Sequence, residues 1–338
     1  MRDRDQDTPF FICVIQKDHG PGIPISRDRL GFSLISKKCK KLTISSKIKG
    51  KFFAIGISNV ISISLSAIHV PICLNFYTEP SLDWIVGTDV QKKTLKPPEF
   101  VSIHTFHRGP VMLKWPNTKE FGMREWLDHI QTVFDCREYT YTRIALCAYR
   151  FDIDFIKETF GNSDFLSIEH TGNYGYNESI LEKLTPIGGL GIADSVFPDS
   201  KIPSKVLIQN FDRLAIGYKN DGLRCATLDE LLMMNSASIE ITTHQTPVKM
   251  LNKFVKLWQQ GANPRMKHFR INYHNGSETD INGILNGIKC DEVRQKRLQY
   301  TLVNKGFYTY KMDGTKVKIL FECSDIIEGM IQLRLLLV

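Results

Sequence analysis

The sequence lacks the short motifs that identify several common kinds of chemistry. It has no Walker A loop and no GxSxG nucleophile elbow. The glycine cluster Gly188–Asp194 has an aspartate where a dinucleotide fingerprint needs its third glycine. His104 and His107 have a spacing that some metal sites use, but no neighbouring residues complete a ligand set. We therefore expect no catalytic, cofactor-binding or metal-binding residues.

Disulfide frameworks and secretion signals are absent as well. The eight cysteines are scattered along the chain, without a CxxC pair or a cysteine-dense module. That usage is typical of reduced thiols in the cytoplasm or nucleus. The N-terminal stretch Met1–Gln16 combines alternating charges with only a short apolar run, which is not the pattern of a secretory signal.

One long stretch, Phe52–Thr78, lacks charged residues and is long enough to cross a membrane. Within it, however, Ile61, Ile63 and Leu65 alternate with serines, and Pro71 would interrupt a helix. The alternation favours a buried β-hairpin over a membrane helix, so we expect no membrane partner.

Size and charge leave the class of partner open. With 338 residues, of which 42% are apolar, the chain can bury one large core or two ordinary ones. The net charge of +8 is dispersed, except for the basic run Lys37–Lys51. No aromatic-rich binding signature accompanies that run, so solvated basic surface is the favoured interpretation and nucleic-acid binding the less favoured one.

An apolar, any residue, apolar pattern recurs at spacings of about 22 to 30 residues. Helical candidates starting near Phe151, Asn177, Pro203, Thr227 and Thr246 lie between its copies. Strands that alternate with helices at this period predict a parallel sheet with right-handed crossovers. We predict an α/β fold that resembles a leucine-rich-repeat stack, and an ordinary α/β domain is the alternative. The six copies are Ile144/Leu146, Leu166/Ile168, Leu190/Ile192, Leu214/Ile216, Ile239/Ile241 and Phe269/Ile271.

The clearest helix follows Thr246, which can cap it, and Pro247, which suits a first helical position. Phe254 and Trp258 fall on one apolar stripe, and Gly261 can end the helix in a left-handed conformation. Nothing on this helix looks reactive, so we expect Phe254 and Trp258 in the core.

Residues Leu228–Tyr273 closely resemble the F-box-associated domain, type 2, of the large nematode F-box protein family. The resemblance rests on a leading helix, a strand, the helix that ends at Trp258 and Gly261, and Asn263-Pro264 before the next strand. The late hairpin "GFYTYKMDGTKVKILFE", around Asp313-Gly314, is similar to the C-terminal portion of that family. A structural role is implied for Phe254, Trp258, Gly261, Asn263 and Pro264.

A shorter stretch, "FSLISKKCKKLTISSKIKGK" from Phe32, resembles the last helix of an F-box. The resemblance implies docking on a Skp-type adaptor. The family's F-box start and first helix have no counterpart in Met1–Leu30, so we expect a truncated F-box and weakened adaptor binding. One surviving helix could carry an apolar stripe for the adaptor, formed by Leu30, Leu34, Ile35, Cys39 and Leu42.

These observations predict four regions along the chain. They are an unassigned leader (1–29), an F-box remnant (30–51), a β-rich connecting region (52–122) and a repeat-like F-box-associated domain (123–338). The resemblance implies a substrate-recognition subunit of a cullin-RING ubiquitin ligase that is not itself catalytic and that holds an unknown target protein. An enzyme with a dispersed active site and a basic nucleic-acid-binding protein are the alternatives.

Overall fold

The protein is described by a computed structural model, in which the chain divides into two units. Unit 1 comprises Met1–Asp164 with Ser179–Thr185, and unit 2 comprises Phe165–Glu178 with Pro186–Val338. The predicted boundaries at 29/30, 51/52 and 122/123 stay predictions. The structure describes residues 25–46, 50–67, 70–76, 97–105, 111–117, 119–136, 140–217, 226–243, 246–273, 278–293, 301–324 and 331–338.

Unit 1 begins with two helices, α1 (Ile25–Ile35) and α2 (Lys37–Ser45). The prediction of one continuous helix here is wrong. Ser36 separates the two helices in an extended conformation with φ of −154°, and its hydroxyl accepts a hydrogen bond from the Cys39 N–H at 3.2 Å. A serine at this position satisfies an otherwise unpaired helix N–H, and the chain therefore starts a new helix.

Five strands of unit 1 follow each other as an antiparallel sheet in chain order. Ile61, Ile63 and Leu65 are buried, so the alternation correctly predicted buried β-structure, although as three strands instead of two. A sixth strand pairs in parallel with the first. The strands are β1 (Gly50–Ile57), β2 (Ile61–Ala67), β3 (Val70–Phe76), β4 (Phe100–Thr105), β5 (Val111–Pro116) and β6 (Tyr141–Ile144).

Two further helices of unit 1 are α3 (Met123–Phe134) and α4 (Ile153–Phe160). Helix α3 buries one apolar face, including Trp126. Helix α4 starts after Asp152, whose carboxylate accepts a hydrogen bond from the Asp154 N–H at 2.8 Å. Asp152 therefore caps α4, and its negative charge lies at the end of the helix dipole that favours it.

Five strands of unit 2 lie side by side in chain order, and every neighbouring pair is parallel. They contain five of the six predicted copies of the apolar pattern. The sixth copy lies in unit 1, where Ile144 is in β6 and Leu146 is exposed beyond its end. The five strands are β7 (Phe165–Ile168), β8 (Gly189–Ile192), β9 (Arg213–Ile216), β10 (Ser238–Thr243) and β11 (His268–Tyr273).

Short helices connect these strands, as the spacing predicted. Helix α7 starts with a capping box, in which Thr227 and Glu230 each bond the other's backbone N–H. Helix α8 packs on the sheet through Phe254, whose ring centroid lies 4.8 Å from that of Phe269. The helices are α5 (Tyr174–Lys183), α6 (Ser204–Leu207), α7 (Leu228–Met233) and α8 (Val248–Gln259).

The ends of α8 differ in part from the prediction. Phe254 and Trp258 are fully buried, and Gly261 follows the helix with φ of +105°, as expected. The prediction that Thr246 caps α8 is wrong. Pro247 occupies the capping position, and its side chain makes no hydrogen bond to the helix. The Thr246 hydroxyl is buried and has no hydrogen-bond partner in the described part of the chain.

The C-terminal part of unit 2 adds helix α9 (Glu278–Leu285) and four antiparallel strands. Strand β15 pairs with β11, and β14, β13 and β12 follow outward. The predicted hairpin therefore extends the sheet next to the parallel strands. The four strands are β12 (Asp291–Val293), β13 (Thr301–Tyr310), β14 (Lys316–Ser324) and β15 (Ile331–Leu337).

The turn of the β13–β14 hairpin is not the type I′ turn that an Asp-Gly pair often forms, which needs positive φ at two successive residues. Gly314 has φ of +84°, but Asp313 is not among the residues with positive φ. The Gly314 N–H donates to the Lys311 carbonyl at 3.0 Å, and the Lys311 N–H donates to the Thr315 carbonyl at 2.9 Å. These two bonds describe a type I turn with a glycine bulge.

The fold class is mixed α/β, as predicted. A parallel arrangement holds for β7 to β11, whereas β12 to β15 are antiparallel. None of the helices that the structure describes is both long and apolar enough to span a bilayer.

Candidate protein-binding face

Unit 2 presents one face of its sheet away from the helices. On β10 and β11, residues that face the helices alternate with polar residues on the opposite side, and the polar residues of the two strands are in register. Strands β9, β14 and β15 add polar residues to that side, next to the apolar residues Ala215, Leu320 and Leu336. We call this second side the open face. Its polar members are Arg213, Ser238, Glu240, Thr242, His268, Arg270, Asn272, Lys316, Lys318, Glu322, Gln332 and Arg334.

Two arginines converge on one carboxylate at the centre of the open face. Arg213 Nη2 lies 2.9 Å from Glu240 Oε2, and Arg270 Nη1 lies 3.1 Å from Glu240 Oε1. The side chains of Arg213, Glu240 and Arg270 are 55%, 23% and 29% exposed. Burial alone would raise the pKa of Glu240, but the two guanidinium groups outweigh it and lower that pKa. Glu240 is therefore ionised at neutral pH, and the cluster carries a net positive charge.

A second ion pair continues the open face onto the antiparallel strands. Arg334 Nη2 lies 2.8 Å from Glu322 Oε2, and both side chains are more than two-thirds buried. Lys316 Nζ lies 3.9 Å from the centroid of the Tyr308 ring. Basic groups exceed carboxylates among the described residues of this face, so it favours a partner of negative charge.

His268 and Ser238 form a hydrogen-bonded pair on neighbouring strands, with 3.0 Å between Nδ1 and Oγ. Burial, followed by the charges of Arg270 and Arg334, lowers the pKa of His268, so the imidazole is neutral at pH 7. A catalytic triad needs a carboxylate that orients the imidazole. In the part of the chain that the structure describes, no carboxylate is hydrogen-bonded to His268, because Glu240 is held by the two arginines.

A small cavity lies at the carboxyl ends of β9 and β10, where parallel sheets often bind ligands. It is lined by residues that include Asp194, Ile216, Glu230 and Thr243. The cavity has room for about one water molecule, which is too little for a metabolite. The described residues also contain no group of three or more His, Cys, Asp or Glu side chains that could hold a metal ion.

Asn263, which precedes Pro264, has a structural role that its backbone angle and its hydrogen bonds explain. Its backbone is left-handed, with φ of +49°, and its side chain is buried. The amide donates hydrogen bonds to the carbonyls of Leu231 at 2.8 Å and Met234 at 2.7 Å. Those carbonyls belong to the C-terminal end of α7, which lacks intrahelical partners for them. Asn263 thus joins two successive helix–strand units, while Pro264 is exposed.

The candidate adaptor residues do not form one stripe. Leu30 is fully buried, whereas Leu42 is 53% exposed. Leu34, Ile35 and Cys39 have intermediate exposure. The break at Ser36 changes the direction in which residues on either side of it point. Adaptor binding by these residues stays a prediction.

Sequence reasoning missed the arginine–glutamate cluster, although part of its signal was visible. The alternation of His268, Arg270 and Asn272 with apolar residues already predicted a half-buried strand. The pairing of Arg270 with Glu240 depends on the register between β10 and β11, which the sequence does not reveal.

Comparison with known proteins agrees with the predicted resemblance. The family model described as "F-box associated" matches residues 202–271. The F-box associated domain-containing protein sdz-33 of Caenorhabditis elegans is 23% identical over 151 residues, which cover 45% of this chain and 45% of that protein. No solved structure matches the chain. The predicted resemblance to the nematode F-box-associated proteins is therefore confirmed, and the family model places it over residues 202–271.

Proposed function

We propose that the chain is a substrate-recognition subunit of the F-box type, which holds a target protein for a cullin-RING ubiquitin ligase. The F-box-associated segment and the similarity to an F-box associated domain-containing protein support this role. The chain spans about 45% of the length of that relative, so its partners are part of the proposal. It acts in the cytoplasm or nucleus and is not itself catalytic.

The observation that carries the proposal is the position of the arginine–glutamate cluster. Arg213, Glu240 and Arg270 all lie within residues 202–271, on the face that the helices leave uncovered. Arginine is enriched at the energetic centres of protein interfaces, because its planar guanidinium forms several directed hydrogen bonds. The open face thus has the chemistry of a protein-binding surface.

The helix–strand units support recognition in a further way. In this proposal they act like a leucine-rich-repeat stack, in which each added unit lengthens one continuous surface. The neighbouring strands β9, β10 and β11 each contribute a charged residue to it. A target would contact several units at once.

Adaptor contact is assigned to helices α1 and α2. Phe32, Leu42 and Ile44 expose 38%, 53% and 39% of their surface there, and lysines surround them. An exposed apolar group rimmed by polar residues is typical of a protein-interaction site. We propose that a Skp-type adaptor contacts this surface and binds it only weakly.

Site-specific photocrosslinking tests the target-binding role. A benzophenone amino acid replaces Arg213 on the open face or, as the matched control, Lys253 on the exposed side of α8. After irradiation in cells, mass spectrometry identifies the crosslinked proteins, which are then produced and titrated with the unmodified chain. We expect a discrete protein crosslinked from position 213 and not from 253, with direct binding in the titration. Identical products from both positions, or none, would contradict the proposal.

An enzyme is the second candidate, and the Ser238–His268 hydrogen bond is the observation that favours it. A fluorophosphonate probe labels an activated serine nucleophile. We expect no labelling of Ser238. Labelling that disappears in Ser238→Ala, while that variant keeps the parent's thermal stability, would replace recognition by hydrolysis as the proposed function.

A further inference from the structure

We infer that the open face binds an acidic peptide segment of the partner, and that Arg213 and Arg270 hold its carboxylates in competition with Glu240. This inference rests on the proposed recognition function and names the chemistry of the target.

The first step is that the two guanidinium groups retain hydrogen-bonding capacity. Each guanidinium has five N–H donors. In the structure, each gives Glu240 a single hydrogen bond, from Arg213 Nη2 and from Arg270 Nη1. The Arg270 Nε–H is buried without a partner among the described residues. Guanidinium groups bind carboxylates through two parallel N–H bonds, so this pair of arginines can accept a further carboxylate.

The second step is that Arg213 is already held in place. Its guanidinium carbon lies 5.5 Å from the centroid of the Phe165 ring, and the hydrogen bond to Glu240 fixes the edge of the group. Ordering a flexible arginine costs binding free energy, and a pre-ordered one avoids much of that loss. The side chain is still 55% exposed, so a ligand can reach it.

The third step concerns charge. Glu240 neutralises only one of its two arginines, and Glu322 neutralises Arg334. Lys316 on the same face adds positive charge, and among the described residues it forms no ion pair with a carboxylate. The excess positive charge attracts acidic segments and repels basic ones.

The fourth step distinguishes a peptide from a nucleic acid. Proteins that bind single-stranded nucleic acids stack the bases on accessible aromatic rings. On this face, the Phe165 ring is buried beside Arg213, and the Tyr308 ring is covered by Lys316 at 3.9 Å. Cations already occupy these two rings beside the cluster, whereas Tyr310, at the far end of β13, is 57% exposed. The surroundings of Arg213 and Arg270 therefore favour carboxylates over stacked bases.

Fluorescence anisotropy of the full chain tests the inference. The probe is a fluorescein-labelled peptide of alternating glutamate and serine, and the control peptide has glutamine in place of glutamate. We expect the parent to bind the glutamate peptide at least about tenfold more tightly than the glutamine peptide, since charge-assisted hydrogen bonds are lost in the latter.

Three variants assign the binding to the cluster. Arg213→Gln with Arg270→Gln should weaken the glutamate peptide about tenfold or more. Glu240→Gln removes the carboxylate that competes for the two arginines, so the affinity for the glutamate peptide should rise severalfold. Partial unfolding would not produce such a gain. The matched control, Lys249→Gln with Lys253→Gln, removes the same charge from the exposed side of α8 and should leave affinity unchanged.

Several results would overturn the inference. One is that the α8 variant loses as much affinity for the glutamate peptide as the double arginine variant does. Another is that Glu240→Gln does not raise this affinity. A third is that a uridine oligonucleotide binds more tightly than the glutamate peptide through the same arginines. If a crosslinked target protein binds equally well to the parent and to the double arginine variant, recognition stands and the acidic-segment inference fails. If position 213 crosslinks to no protein, the recognition function itself fails, whatever the peptide does.

Discussion

The ammonium group of Lys311 lies 5.2 Å from the centroid of the Trp258 ring. Trp258 is fully buried near the end of α8, and Lys311 begins the turn of the β13–β14 hairpin. The Met312 N–H also donates to the Gln259 carbonyl at 2.9 Å. The end of helix α8 and the turn of the β13–β14 hairpin are therefore in direct contact.

Trp258→Ala should destabilise unit 2 by about 3–5 kcal/mol, because it removes a fully buried aromatic side chain. Lys311→Met retains most of the apolar stem and loses only the cation, so it should cost about 0.5–2 kcal/mol. Urea unfolding followed by circular dichroism measures both values. A Trp258→Ala variant that unfolds with the parent but loses its target would show a binding role instead.

Asn263→Ala should destabilise the chain through two separate effects. It leaves the buried carbonyls of Leu231 and Met234 without donors, at a cost of about 1–3 kcal/mol. It also places alanine at a φ of +49°, which costs roughly 1–2 kcal/mol more. Asn263→Gly is the matched variant, because glycine accepts the backbone angle but still lacks the amide. Equal stability of the two variants in urea unfolding would show that the backbone angle is not part of the effect.

Acid should destabilise unit 1 through His129. This imidazole is buried, its Nε2 lies 2.8 Å from Ser33 Oγ, and burial, followed by the charge of Lys40, lowers its pKa to about 4. In the unfolded chain the pKa of His129 is near the ordinary histidine value of 6.5, so the unfolded chain binds a proton more readily between pH 6.5 and 4. The His129 contribution to stability is therefore complete above pH 6.5 and is lost as the pH falls towards 4. The full loss is about 3 kcal/mol.

The comparison that isolates this effect uses His129→Gln, which does not titrate in this range. The unfolding free energy of each protein is measured from pH 7.5 to pH 4, and the difference between them should fall only below about pH 6.5. Parallel curves for the two proteins would show that His129 does not carry the pH dependence.

Adaptor binding should be weak. The predicted stripe is interrupted at Ser36, and Leu30 is buried within unit 1, so only part of it can contact a partner. Calorimetric titration with a purified Skp-type adaptor should give a weak signal or none. Leu42→Asp should not change stability, because Leu42 is 53% exposed, whereas Leu30→Asp should destabilise the fold. Tight binding by the parent that Leu42→Asp abolishes would contradict the expectation of weak docking.

The local periodicity of the sequence was sufficient to locate the parallel strands of unit 2. Apolar residues at alternate positions mark the buried side of a strand, and Leu214 and Ile216 are both buried in β9. This pattern is local, so the sequence alone reveals it. The helix boundaries were less predictable. Both Thr246 and Pro247 can begin a helix, and the choice depends on how the preceding chain approaches α8. Ser36 did carry a visible signal, because serine is a strong capping residue, yet the apolar spacing on either side of it favoured one helix.

The candidate site was less accessible to sequence reasoning than the fold. Arg213 lies 27 residues before Glu240, and Glu240 lies 30 residues before Arg270, so only the register of β9, β10 and β11 brings the three together. The left-handed Asn263 was identified through a resemblance, while its hydrogen bonds to the end of α7 required the packing of two helix–strand units. These contacts depend on tertiary packing and produce no periodic pattern in the sequence.

The outermost strand of the unit 2 sheet, β12, is only three residues long and begins with the exposed acids Asp291 and Glu292. A long, flat apolar strand in this position would offer its free backbone groups to another chain and promote fibril-like association. The short acidic strand repels a second copy of itself and provides few groups to pair with. It thereby protects the protein against aggregation, and replacing both acids with valine should shorten the lag before thioflavin-positive material forms.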